Sequence, residues 1–129
     1  MANGLSPHRA TAEPGWLAAA AAAARALTSP STGRRGARHH VYVALLHDPA
    51  RGGRFGLYVG QTALDPDLRF DQHKTGYKAS RAARRFGARL LPGLVQHLNP
   101  LSEAESRRLE AALAAAFRAA GISWVEGGH

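Results

Sequence analysis

Two short apolar segments separated by turn-forming residues constrain this chain more than anything else in it. His40-Val-Tyr-Val-Ala-Leu-Leu46 and Arg54-Phe-Gly-Leu-Tyr-Val-Gly60 are rich in β-branched and aromatic residues and have strand length. Between them, His47-Asp-Pro-Ala-Arg-Gly-Gly53 is turn chemistry, so the pair predicts a β-hairpin. A loop centred on residue 50 makes paired positions sum to about 100, which sets Tyr42 opposite Tyr58. Both tyrosines then share one face, and Phe55, Leu57 and Val59 share the other with Val41, Val43 and Leu45.

The rest of the chain supplies helices for that hairpin. Asp65 is a suitable N-cap, Pro66 suits the first helical position and Gly76 suits a C-terminal stop. On this helix Arg69 and His73 are four residues apart and share a face. A short helix over residues 79–86 closes at Gly87, and residues 89–97 read as an edge strand interrupted at Pro92-Gly93. Ser102-Glu-Ala-Glu105 is a capping box that opens the longest helix, which runs to about Ala120. Leu109, Leu113 and Phe117 form its apolar stripe, with Glu110 beside it. Ile122–Val125 suits a last short strand. This order predicts an α+β fold: a small central antiparallel or mixed sheet of about three to four strands, flanked by about three helices.

Residues 1–37 differ in composition. Seven consecutive alanines, Ala18 to Ala24, favour a helix with little to bury, so this stretch reads as a disordered or loosely helical tail ahead of a domain over 38–129. Its run of alanines is too weakly apolar for a secretory signal, and no stretch has the ~20 strongly apolar residues of a membrane span. The expected location is the cytoplasm. The 129 residues include no cysteine, which excludes disulfide frameworks, thiolate metal sites and cysteine nucleophiles.

The formal charge is +8, of which the tail carries +3. Lys74, Lys78, Arg81, Arg84, Arg85 and Arg89 fall within sixteen residues that contain no acid. Such a block suits the phosphates of a nucleic acid, or else is simply a solvated helix face. No Walker loop, serine triad, His-Glu-x-x-His pair or dinucleotide-binding glycine motif is present.

Tyr42 within His40-Val41-Tyr42, Tyr58 within Tyr58-Val59-Gly60, Arg69, His73 and Glu110 follow one another in an order that resembles the GIY-YIG endonucleases, in particular their short single-domain bacterial members. The resemblance covers residues 38–129. It departs from the family at His40-Val41, where Gly-Ile is usual, and in lacking the asparagine many members carry about a dozen residues after the glutamate; Ser123 and His129 stand nearest. The resemblance implies a metal-dependent endonuclease that hydrolyses DNA as a monomer or homodimer, without a membrane partner. In it Glu110 holds one Mg²⁺ or Mn²⁺, Arg69 clamps the phosphate, Tyr42 or less readily Tyr58 takes a proton from water, and His73 orients the tyrosine or relays its proton. The basic block from Lys74 to Arg89 then holds the DNA backbone. The other outcome on the same scaffold is a binding module without catalysis. Taken singly, the same residues suit a packed tyrosine pair, an Arg69 bridge to Asp65 or Asp71, and a Glu110 bridge to Arg107.

Overall fold

The computed structural model describes residues 13–63, 65–75 and 80–128. The first element among the described residues is helix α1 (Leu17–Arg25), followed by strands β1 (His40–Asp48) and β2 (Arg54–Thr62). Helices α2 (Pro66–Thr75) and α3 (Arg81–Phe86) come next, then β3 (Gly87–Leu90), α4 (Glu103–Ala119) and β4 (Val125–Gly127). The four strands form one mixed sheet in the order β3-β1-β2-β4, with β1 antiparallel to β2 and β3, and β4 parallel to β2. The expected α+β class is what the protein has, with a four-stranded mixed sheet, three α-helices within residues 38–129 and one before them among the described residues.

The hairpin forms with its register two residues off the expected one. Tyr42 pairs with Gly60 and Tyr58 pairs with Ala44. The reason lies in the turn. The strands continue to the Asp48–Arg54 pair, so the loop centres on residue 51. Asp48 accepts the amide of Ala50 at 3.1 Å, Pro49–Arg51 makes one 3₁₀ turn, and Gly52 and Gly53 close it at φ 68° and 76°. A shift of two residues preserves the side-chain face, so both tyrosines still lie on one side of the sheet.

The opposite side carries the main core. Val41, Val43, Leu45, Leu57 and Val59 pack with Leu109, Leu113 and Phe117 of α4, all buried. The third strand ends at Leu90 because Pro92 starts a 3₁₀ turn, so residues 91–97 are not strand. It lies at the sheet edge, as expected. The last strand forms three residues later than Ile122.

Residues 13–37 are not a loose tail. Ala20 and Ala24 are fully buried, and Trp16, Leu17 and Leu27 pack against the same core. Small side chains are what let α1 approach α4 closely. The following segment is bonded to the fold: Thr32 Oγ1 donates to the Leu98 carbonyl at 2.7 Å, and Gly33 N–H donates to that of Pro100 at 2.9 Å. Only half of the expected capping box forms at α4. Ser102 Oγ accepts from Glu105 N–H at 3.2 Å, while Ser102 N–H goes to Ser31 Oγ at 3.2 Å. Glu105 accepts instead from Ser29 Oγ at 2.7 Å and from Arg108.

Candidate active site

The site grows from the sheet face opposite the main core. Along β1 and β2 that face presents Tyr42, Ala44, Gly56, Tyr58 and Gly60, and α2 brings His73 to it. Asp65 starts α2 by accepting the amide of Asp67 at 2.8 Å. Tyr42, Tyr58 and His73 form a closed triangle of rings, with centroids 6.1, 6.3 and 5.6 Å apart. Tyr42 and His73 are 3% and 2% exposed.

Gly60 makes room for this triangle. A Cβ at that position would lie 2.5 Å from Cζ and Oη of Tyr42, so the tyrosine ring lies directly over the glycine. In the sequence Gly60 ends the second apolar segment; the cross-strand pairing of residue 42 with residue 60 gives it a second role.

The hydrogen bonds of His73 define its tautomer. Ser80 N–H donates to Nδ1 at 2.9 Å, so Nδ1 carries the lone pair. Burial first, and the Arg69 charge second, push the His73 pKa from 6.5 down to about 4, so the ring is neutral at pH 7. A neutral imidazole with a lone pair on Nδ1 has its proton on Nε2. Nε2–H therefore donates to Tyr42 Oη, 2.9 Å away. Ser80, which also caps α3 through Ala83 N–H, thus fixes the orientation of His73. Nothing in its sequence context separates Ser80 from an ordinary helix cap.

Two charges act on this pair. Arg69 precedes His73 by one turn of α2 and donates from Nη1 to Gln72 Oε1 at 2.9 Å. Glu110 comes from α4 and is 7% exposed, and its charge acts on Tyr42 as well. Gly128 packs against the same part of α4: its N–H donates to the Val59 carbonyl at 3.2 Å, and a Cβ on it would collide with Ala114. Arg107, the plain alternative partner for Glu110, bonds to Glu103 at 2.9 Å.

Tyr42, Tyr58 and His73 thus meet in space, and the charges of Arg69 on α2 and Glu110 on α4 act on Tyr42. Opposing influences act on the Tyr42 pKa. Arg69 does lower it, but burial and the adjacent Tyr58 outweigh Arg69, and Glu110 adds to them, so the phenol is held well above its ordinary value. Among the described residues no three His, Asp or Glu side chains cluster as a metal-binding group. Glu110 alone is a hard oxygen donor, and that chemistry fits Mg²⁺ or Mn²⁺, which take one or two carboxylates and complete their shell with water and substrate phosphate.

The basic block divides. Arg81, Arg84 and Arg85 are exposed on α3. Lys74 Nζ donates to the carbonyls of Arg84 and Gly87, at 3.1 and 2.8 Å, and so serves the end of α3. Arg89 is exposed on β3 and pairs with Glu13. Lys78 and His129 lie outside the described residues. No described helix is long and apolar enough to cross a membrane. No protein-family model, curated protein or solved structure matches the chain.

Proposed function

We propose that the chain is a metal-dependent phosphodiester hydrolase acting on DNA, with Tyr42 and its neighbours as the reacting centre. The observation that carries this reading is the buried Tyr42–His73 hydrogen bond at 2.9 Å, with Arg69 and Glu110 both within electrostatic reach of the phenol. A structural tyrosine pair has no need of a tautomer-fixed histidine, a cation and a buried carboxylate around it.

In this reading Glu110 holds a divalent ion, which when bound neutralises charge on the phosphate oxygens. Arg69 clamps the scissile phosphate through its planar fork. Tyr42 Oη first loses its own proton to solvent in a pH-dependent equilibrium, and the phenolate then accepts the proton of the attacking water. The His73 Nε2–H bond supports the resulting phenolate, and the Arg69 charge favours its formation. Arg81, Arg84 and Arg85 bind the DNA backbone next to the site.

Because the phenol pKa is raised, only a small fraction is ionised at pH 7. Log kcat/KM for plasmid nicking in Mn²⁺ is therefore expected to rise about one unit per pH unit from pH 7 to 9. Tyr42→Phe and Glu110→Ala should each reduce it at least ~100-fold. Equal nicking by wild type and Glu110→Ala would remove the proposed metal role. The same raised pKa also favours a second reading, a nucleic-acid-binding module without catalysis. That reading takes over if DNA is bound in a salt-sensitive way and never cut.

A further inference from the structure

We propose that a cavity beside Tyr42 is a subsite for a single nucleobase, taken from the strand whose phosphate lies at the site; this rests on the hydrolase reading. The cavity measures about 210 Å³ and lies along β1, beyond the point where β3 ends. This is below the ~300–1,000 Å³ of pockets that enclose a drug-sized ligand, and suits one flat heterocycle. Its walls are apolar, from Val43, Pro66, Leu90 and Val95, and Tyr42 is common to the cavity and the reacting centre. A group bound here is therefore adjacent to the phosphate site, which is where the base of a flanking nucleotide lies.

Polar side chains line the cavity beside its apolar walls. His40 is one of them. Gln96 lines the cavity and is exposed, so it stands at the mouth. Asn99, which also lines it, is already committed: Oδ1 accepts from Val41 N–H at 2.9 Å and Nδ2 donates to the Val41 carbonyl at 2.8 Å. The chain carries +8 formal charge, which suits a heterocycle attached to phosphates over a neutral apolar ligand.

The test is an NMR titration of the full ¹⁵N-labelled chain with trinucleotides of thymidine and of deoxyadenosine, each with and without its central base. At least one intact trinucleotide should bind about tenfold more tightly than its abasic analogue, with amide shifts at Val43 and Val95. Gln96→Ala, a change at an exposed position, should reduce that preference and leave the abasic affinity unchanged. His40→Ala should reduce the preference as well and gives a second, independent variant. Equal binding of both intact trinucleotides and their abasic analogues, or a preference that persists in both variants, overturns the subsite. If the base preference stands while Glu110→Ala nicks DNA like wild type, the hydrolase reading fails and the subsite survives. If cleavage behaves as proposed without any base preference, the subsite alone fails.

Discussion

Tyr42 crosses the backbone of Gly60 so closely that a single methyl group there tests the whole arrangement. The phenol ring is rigid and buried, so Gly60→Ala must displace it from His73. A misplacement of about 1 Å at a reacting group costs on the order of 100-fold in kcat/KM, and a loss of that size is expected in the nicking assay while the protein stays folded by circular dichroism. His73 gives a stability prediction at the same scale. Its folded pKa, about 4, lies below the unfolded 6.5, so the unfolded chain takes up a proton first as the pH falls. Its contribution is fully present above pH 6.5 and is lost progressively down to pH 4, by at most ~3 kcal/mol. Protonation at Nδ1 would also set a donor against Ser80 N–H. The drop in Tm between pH 7 and 4.5 should therefore be smaller in His73→Gln than in the wild type.

At the scale of elements, the alanine-rich helix behaves unlike its composition suggests. An alanine run offers little area to bury, yet α1 seals the core with Ala20 and Ala24 at zero exposure. Ala20→Leu is expected to cost about 1–3 kcal/mol by overpacking, read as a lower urea midpoint, whereas Ala19→Leu at an exposed position should stay within ~0.5 kcal/mol. The same limit explains the capping box at α4. Ser102 and Glu105 have the right spacing, but Ser29 and Ser31 from a distant part of the chain compete successfully for the second half. Local caps such as Asp65 on α2 are legible in sequence because both partners lie within a few residues. A partner 71 residues away is not.

For the whole molecule, charge and position must be taken together. If Arg81, Arg84 and Arg85 bind backbone phosphates, log Kd for duplex DNA should rise with log salt at a slope of about 0.9 per phosphate contact, near 3 for these residues. Reversing all three to glutamate should abolish that part of the slope; an unchanged slope would move the interface elsewhere. Residue spacing along the chain was enough to place the two tyrosines on one sheet face, Arg69 and His73 on one helix face and Glu110 beside a buried stripe, because each depends on a local period of two or 3.6 residues. Folding brings the tyrosine face and His73 together, and folding also decided what no period encodes. The hairpin register follows from where the turn closes, the role of Gly60 from that register, and the His73 tautomer from an amide on the next helix. The Tyr42 pKa follows from how deeply the phenol is buried. Each of these is a balance between groups far apart in sequence, set by packing distance and desolvation, and these exist only once the sheet and helices have docked.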